Sequence, residues 1–267
     1  MDVTKDKSRV FPSIGCCIYC GSDGNGEPLT TEHIYPKGMG GGLVFLDASC
    51  KACQLVIDGV ENAYMKRTLL PYRTVSQLTK NKNGPKTVPL LLDFDLKGPT
   101  KVAVEDHPQI VILPGLRSIP GVLEGRPRQS VLNFEYKIFG ATGIVDETKE
   151  KLQRQKHVGF DLDGVAWLRM LAKIAHGYAV AELGHDGFLP MLPDLILGRD
   201  LSLCTHLVGQ YPEAWPIPEL PPIAMIDMRR AEVNGQVYVA VILHLLAELG
   251  PVTPAYAVIA GTFIDKH

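Results

Sequence analysis

Four cysteines in two CxxC pairs are the residues of this sequence best placed to bind a metal ion. The first pair is Cys17 and Cys20, and the second pair, Cys50 and Cys53, follows about thirty residues later. Two pairs at this spacing are typical of a structural zinc site, in which each pair forms a knuckle and the metal joins two distant segments. Cys16 adjoins Cys17 and is an alternative ligand. Cys17 fits better, because two residues separate it from Cys20, as in a zinc knuckle.

Zinc bound by these cysteines would hold the fold together rather than carry out a reaction. Four thiolates close the coordination shell and leave no position for a reactive water. A module of this size has little hydrophobic core, and structural zinc can contribute on the order of 10 kcal/mol to its folding. A cluster of thiols without a metal is the alternative interpretation.

A glutamate directly followed by a histidine, Glu32 and His33, lies between the two cysteine pairs. This arrangement suggests a site that cuts phosphodiester bonds, a reaction that needs a nucleophilic water, an acceptor for its proton and a stabilising cation. His33 is the predicted general base because imidazole titrates near neutral pH. The alternative is a structural Glu–His pair with no catalytic role.

The elements that must position these residues are a hairpin and a helix. Leu29 to Tyr35 reads as a strand, residues 36–42 as a turn, and Leu43 to Leu46 as a second strand that pairs with the first. A helix is predicted from Cys50 until Pro71, where proline cannot continue the backbone hydrogen bonds. Apolar residues recur at helical spacing on one face of this helix: Val56, Val60 and Ala63.

Residues 17–54 resemble the HNH, or His-Me finger, endonucleases, in particular the branch whose ββα core is held by two zinc knuckles. The positions that match are the four knuckle cysteines, Glu32-His33-Ile34, Pro36 and a Gly-Gly pair in the turn. The resemblance implies a metal-dependent endonuclease that hydrolyses DNA, with structural zinc and a catalytic Mg²⁺ or Mn²⁺.

The same resemblance implies a ligand set for the catalytic cation. Glu32 would bind it through oxygen, as Mg²⁺ prefers, but neighbouring residues of a regular strand face opposite sides, so a local distortion must turn Glu32 toward the ion. The family's further ligand, commonly Asn or His, follows the last cysteine, where this chain has Gln54. Asp58 lies one turn later on the same helix face and could supply a carboxylate directly or through water. The predicted catalytic residues are therefore His33, Glu32, Gln54 and Asp58.

Two departures separate this chain from the family pattern. Gln54 replaces the final Asn or His, and no asparagine lies between His33 and Cys50, where Asp47 is the nearest polar substitute. Glu61 and Asn62, further along the helix, are secondary candidates.

A basic segment follows the helix. Six basic residues and no acidic residue lie between Asn62 and Leu90, although the net charge of the whole chain is only −2. A local basic stretch beside a candidate metal site favours a polyanionic partner, and a solvated linker is the alternative. With one lysine of the turn, the predicted DNA-binding residues are Lys37, Lys66, Arg67, Arg73, Lys80, Lys82 and Lys86.

The remainder of the chain predicts an accessory domain. The fold class is α+β: a small ββα-metal module with a four-cysteine zinc site in residues 1–88, then a mostly antiparallel-sheet domain with one long helix in residues 89–267. The helix is predicted over Val165 to Leu183 from its apolar stripe. Asn234-Gly235 predicts a tight hairpin between two long strands. This domain would serve dimerisation, targeting or sensing, and a homodimer through it is one expectation. The other predicted strands are Val88–Phe94, Gln109–Leu113, Ser130–Ile138 and Ala255–Ile264.

Other chemically capable side chains fit structural roles. His176 and Trp167 on the long helix are interpreted as structural, and Cys204 as a small buried apolar residue. His185, His206 and His244 have no ligand-like spacing.

Composition favours a soluble protein of a reducing compartment. The first seven residues contain no apolar core of a signal peptide, and no run reaches the roughly 20 apolar residues of a membrane span. A reducing cytoplasm, where thiolates hold zinc instead of forming disulfides, is the simpler interpretation. Residues 1–13 are polar and predict a loose N-terminal arm.

Two functions from different classes follow. The first is a metal-dependent DNA endonuclease, for which the resemblance implies a place in phage defence or restriction. The second is a catalytically degenerate zinc-finger protein that binds nucleic acid without cutting it.

Overall fold

The computed structural model describes residues 9–66, 68–75, 87–89, 101–103, 110–129, 132, 134–140, 163–213, 215–216, 218–219, 222–250 and 253–264. It is a mixed α+β structure with antiparallel sheets, which confirms the fold class at this level. The described helices are α1 (Lys51–Met65), α2 (Leu70–Val75), α3 (Gly164–Leu183), α4 (Pro193–Ile196) and α5 (Cys204–Leu207). The described strands are β1 (Arg9–Phe11), β2 (Thr30–His33), β3 (Leu43–Ser49), β4 (Thr87–Pro89), β5 (Lys101–Ala103), β6 (Ile110–Gly115), β7 (Glu135–Gly140), β8 (Phe188–Pro190), β9 (Val208–Gln210), β10 (Ala224–Val233), β11 (Gln236–Leu245) and β12 (Ala255–Phe263).

The N-terminal sheet has three strands in the order β1-β3-β2. β2 and β3 form the predicted antiparallel hairpin, and β1 adds to the other edge of β3 in parallel. The expectation of a loose arm over residues 1–13 is therefore wrong for Arg9–Phe11, while residues 1–8 lie outside the described part. The physical reason is burial: Phe11 is buried and packs on Phe45, with ring centroids 6.0 Å apart.

The hairpin is distorted beside Glu32. Thr30 pairs with Ser49 but Glu32 pairs with Phe45, so β3 carries extra residues opposite β2. Asp47 lies within this bulge and adopts a φ of 43°, a conformation that aspartate tolerates better than most residues. Bulges of this kind change the direction in which nearby side chains point, and Glu32 is buried here.

Helix α1 begins after Cys50 as predicted but ends at Met65, earlier than the expected end at Pro71. Pro71 lies instead in the first turn of α2, where a missing N–H removes no helical hydrogen bond. The buried face also differs, because Val56 is 38% exposed. The residues of α1 that face the core are Cys53, Ile57, Val60, Tyr64 and Met65.

Helix α3 is the central element of the structure. It begins one residue before the prediction, and the Asp163 side chain caps it by accepting a hydrogen bond from the Ala166 N–H at 2.8 Å. The helix contacts α1 on one side and the strands β11 and β12 on another. It is consequently buried around most of its circumference, beyond the single stripe expected from the sequence.

The larger sheet is antiparallel in the order β10-β11-β12-β8, and β9 pairs with another part of β12. Asn234 and Gly235 form the predicted tight turn between β10 and β11, with φ angles of 51° and 77°. Positive φ at both positions matches the twist of a two-residue hairpin.

The other described strands form two small pairs, β4 with β5 and β6 with β7. β4, β6 and β7 correspond to parts of three predicted strands, whereas β5 was not predicted. Residues 90–94, 109, 130, 131 and 133 of those predictions lie outside the described part. The hydroxyl of Tyr64 donates to the Ile112 carbonyl at 2.8 Å, and that of Tyr256 donates to the Pro114 carbonyl at 2.6 Å. Strand β6 is thus bonded to both α1 and the larger sheet.

One hydrophobic cluster includes buried side chains from both sides of the predicted boundary between residues 88 and 89. Ile34 and Val60 belong to it together with Leu171 and Ile259. The division into residues 1–88 and 89–267 stays a prediction. Within the described part of the chain, no helix combines the length and the apolar character that a membrane crossing requires.

Two glycines, one in the turn of the hairpin and one in α1, should respond to alanine with opposite signs. A Cβ on Gly41 would lie 2.0 Å from the Tyr35 carbonyl oxygen, whereas a Cβ on Gly59 meets nothing within 4 Å. We expect Gly41→Ala to lower the free energy of unfolding by about 2–3 kcal/mol. Gly59→Ala, on the exposed face of α1, should raise it by about 0.5–1 kcal/mol.

Urea unfolding of the two variants beside the wild type measures both effects. Equal midpoints for Gly41→Ala and the wild type would contradict the close approach of the turn to Tyr35.

Candidate functional site

The four cysteines of the two CxxC pairs come together in the fold. The Sγ atoms of Cys17, Cys20, Cys50 and Cys53 all lie within 4.8 Å of one another, and those of Cys20 and Cys50 are 3.7 Å apart. A tetrahedral zinc with bonds of about 2.3 Å to sulfur has sulfur–sulfur edges of roughly 3.8 Å. The four thiols therefore fit a metal ion such as zinc.

Backbone hydrogen bonds shape the first knuckle. The Cys17 N–H donates to the Ser22 carbonyl at 2.7 Å, and the Gly21 N–H donates to the Cys17 carbonyl at 2.8 Å. Gly21 has a φ of 73°, which glycine adopts without strain. Cys16 is not part of the sulfur cluster, so the structure favours Cys17 over its neighbour as the ligand.

The second knuckle is the start of α1. Cys50 is the residue that precedes the helix, and its carbonyl accepts from the Gln54 N–H at 2.9 Å. Cys53 lies in the first turn, where burial raises the pKa of its thiol. A metal ion would offset this cost by binding the thiolate. Cys204 is buried apart from the cluster, and burial raises its pKa to about 11, in keeping with a neutral apolar residue.

Glu32 points into the protein and forms an ion pair with a lysine of α3. Its Oε1 atom lies 2.6 Å from Nζ of Lys173, and both side chains are almost fully buried, with exposures of 7% and 1%. Burial raises the pKa of Glu32, and the ammonium of Lys173 offsets only part of that effect. The carboxylate predicted to bind a divalent cation is therefore bonded to a positive charge of the protein itself.

Glu61 of α1, whose side chain is 24% exposed, completes this cluster. Its Oε1 atom lies 2.9 Å from Nζ of Lys173, so carboxylates from the hairpin and from α1 meet one ammonium. Burial lowers the pKa of Lys173, but Glu32 and Glu61 outweigh burial and raise it overall, which keeps the ammonium charged. Lys173 also donates to the main-chain carbonyls of His33 and Ile34.

The other predicted cation ligands are not joined to Glu32 in a metal site. Asp58 is exposed, although its charge raises the pKa of Glu32. Gln54 is half-buried, and its Oε1 atom is a buried acceptor with no hydrogen-bond partner among the described residues. Among the described residues, only the four cysteines form a group of three or more potential His, Cys, Asp or Glu ligands. Gln54 has a suitable oxygen, but Glu32 as arranged does not fit a divalent cation.

His33 is the last residue of β2 and pairs with Val44 of β3. It is partly exposed, whereas its neighbour Glu32 is buried, as expected for adjacent strand residues that face opposite sides. The hydrogen bond from Lys173 to the His33 carbonyl holds the backbone from which the imidazole projects.

The predicted DNA-binding residues divide into three groups. Lys37 and Lys66 are exposed and available to a phosphate. Arg73 is half-buried and donates to the carbonyls of Gly38 and Met65 at 2.7 and 2.9 Å, so it also connects the turn after β2 to the end of α1. The remaining four lie outside the described residues: Arg67, Lys80, Lys82 and Lys86.

Helix α3 contacts the first knuckle through His176. The Nε2 atom of this buried histidine lies 2.6 Å from the Ile18 carbonyl, between the two cysteines of the knuckle, and its ring packs on Tyr19 with centroids 5.6 Å apart. Gly177 lies against Ile34. The interpretation of His176 as a structural residue agrees with this position, and burial lowers its pKa to about 4.

Lys173 is the residue that sequence reasoning missed. One signal was available, because a lysine followed three positions later by a histidine lies in a largely apolar stretch of the helix. Residues three apart share one face of a helix. The groups that these two side chains contact lie about 140 residues or more earlier in the sequence. Helical periodicity cannot identify such distant partners.

Comparison of the chain with protein-family models, with curated proteins and with solved structures gave no match. The HNH resemblance consequently stays a hypothesis that depends on the residues quoted above.

Zinc content should depend on the four clustered cysteines alone. We expect the purified chain to contain about one zinc ion, as a four-thiolate structural site does. Cys53→Ser should lose the metal and the helicity of α1, whereas Cys16→Ser should retain both. Elemental analysis and circular dichroism provide the measurements. Full zinc content in Cys53→Ser would show that the metal is bound elsewhere.

Acid should weaken the contact between α3 and the knuckle. The His176 imidazole has a pKa of about 4 in the fold against 6.5 when unfolded, so the unfolded chain takes up the proton first as the pH falls. Its contribution to stability is complete above pH 6.5 and decreases between pH 6.5 and 4 by up to about 3 kcal/mol.

His176→Gln keeps a donor for the Ile18 carbonyl but does not titrate, and it retains all the cysteines. Thermal unfolding midpoints of the two proteins should therefore diverge as the pH is lowered through this window. Parallel pH profiles would contradict the burial of a neutral His176.

Proposed function

We propose that this chain is a phosphodiester-cleaving endonuclease of the HNH type that acts on DNA with His33 as its general base. The support is a hairpin followed by a helix, with four clustered cysteines joining the two, in the same order along the chain as in the family that the sequence resembles. The observation that carries the proposal is the position of His33, partly exposed at the end of β2 on a backbone held by Lys173.

The proposed reaction uses His33 to move one proton. The imidazole accepts a proton from water as the water oxygen bonds to phosphorus, and the bond from phosphorus to the leaving oxygen breaks. The leaving oxygen then takes a proton from the imidazolium or from solvent. General-base catalysis of this kind is worth about 10²–10⁴-fold in rate.

Two exposed lysines of the finger, the module formed by β2, β3 and α1, would orient the DNA. Lys37 follows β2 and Lys66 follows α1, and both are exposed. Contacts between such side chains and phosphates position a nucleic acid but carry no sequence information. Their charge would make binding weaker at higher salt. A homodimer through residues 89–267 stays a prediction.

A second candidate function, DNA binding without cleavage, is favoured by one specific observation. Lys173 occupies the carboxylate of Glu32 that the resemblance assigns to the catalytic cation. A finger whose cation ligand is permanently paired would keep the scaffold and bind phosphates without hydrolysing them.

Nicking of supercoiled plasmid separates these functions. We expect the wild type to convert the plasmid to the nicked form and His33→Ala to reduce the rate by about 100-fold or more. The matched control is His185→Ala, because His185 is exposed and distant in sequence from the finger; it should cut like the wild type.

The assay is run in Mg²⁺, in Mn²⁺ and with a chelator that leaves the thiolate site loaded. Equal cleavage by His33→Ala and the wild type would overturn the assignment of the base. Salt-sensitive binding by both proteins with no cleavage in any buffer supports the second function.

A further inference from the structure

The ammonium group of Lys173 is surrounded by oxygen atoms in the way that a bound cation would be. The Oε1 atoms of Glu32 and Glu61 lie 2.6 and 2.9 Å from Nζ, and the Ile34 carbonyl oxygen lies at 3.4 Å. The His33 carbonyl accepts a further hydrogen bond. The side chain of Lys173 is 1% exposed, so water contributes little to this shell.

We infer that Lys173 is an internal counter-cation, which takes the place of a divalent metal ion between Glu32 and Glu61. The inference rests on the proposed function only in taking Glu32 as the carboxylate that a catalytic cation would need. It concerns the charge balance of the protein before any DNA binds, whereas the proposed function concerns the cleavage of DNA.

Charge and distance both favour the ammonium over a metal. Two carboxylates and one ammonium leave a net charge of about −1, which attracts a divalent ion far less than two uncompensated carboxylates would. The oxygen–nitrogen separations of 2.6 and 2.9 Å are those of charge-assisted hydrogen bonds. Mg²⁺ requires oxygens at about 2.0–2.1 Å in a near-octahedral shell, and the buried ammonium would repel it.

The lysine cannot easily leave this position. Lys173 lies within the buried middle of α3, a helix that contacts both α1 and the larger sheet. An ammonium displaced from its two carboxylates would remain inside the protein without partners, which is strongly unfavourable. The pairing is therefore part of the folded structure, and a metal ion must compete with it.

Removal of the lysine charge should create a metal site where the wild type has none. In Lys173→Met the two carboxylates would lie near each other without a counter-charge, and a divalent cation would then be attracted instead of repelled. We expect Lys173→Met to bind one additional Mn²⁺ per chain on the order of 100-fold more tightly than the wild type.

The experiment titrates Mn²⁺ into the zinc-loaded full chain without DNA and follows free Mn²⁺ by electron paramagnetic resonance. The matched control is the double variant Lys173→Met with Glu32→Gln, which removes the ligand together with the lysine and should lose the additional site. Lys173→Gln, which keeps hydrogen-bond donors, is the second variant in case Lys173→Met does not fold.

Two results would overturn the inference. One is a folded lysine variant that binds Mn²⁺ no more tightly than the wild type. The other is Mn²⁺ binding by the wild type that Glu32→Gln abolishes, since a metal would then already occupy Glu32. If neither lysine variant folds, the comparison of the wild type with Glu32→Gln is decisive. Identical Mn²⁺ titrations of these two proteins then support the inference.

These outcomes are independent of cleavage. A chain that nicks no plasmid can still gain a Mn²⁺ site in Lys173→Met, and a chain that cuts DNA can fail to gain one. The failure of the proposed function and the failure of this inference are thus distinguishable.

Discussion

The arrangement of the finger depends on one buried ion pair, between Lys173 of α3 and Glu32 of β2. Glu61 adds a second carboxylate from α1, so a single ammonium joins a strand of the hairpin to the helix that follows it. Buried pairs of this kind are costly to disrupt, because removal of one partner leaves a charge without compensation, at about 3–5 kcal/mol. The pairing of Lys173 with both carboxylates therefore helps to fix the position of α1 relative to the hairpin.

The finger has two sources of order. The four clustered sulfurs are suited to a metal ion, and α3 packs against α1. His176 lies on the same face of α3 as Lys173 and contacts the Ile18 carbonyl of the first knuckle. A hairpin and one helix bury little apolar surface alone, and α3 supplies the remaining core through contacts such as Gly177 on Ile34.

This arrangement changes the roles that can be assigned to Glu32 and His33. Adjacent strand residues face opposite sides, so the inward direction of Glu32 is also what leaves His33 partly exposed. The bulge at Asp47 sets this register. Glu32 then has a structural role whether or not His33 acts as a base, and the lysine that binds Glu32 also holds the His33 backbone. Any chemistry at His33 consequently takes place on a backbone fixed by α3.

Local chemistry and periodicity were enough to predict part of this protein. The CxxC spacing predicted the sulfur cluster, Asn234-Gly235 predicted its hairpin, and the apolar stripe predicted α3, because each depends on residues close together in the chain. The end of α1, the strand Arg9–Phe11, the paired state of Glu32 and the role of Glu61 were not predictable in this way. The last three of them depend on partners distant in sequence, such as Phe45 for Phe11 or Lys173 for Glu32. Only the tertiary structure brings a buried ammonium to a carboxylate that the sequence alone assigns to a metal ion, because burial forces every charge to find its opposite wherever that lies in the chain.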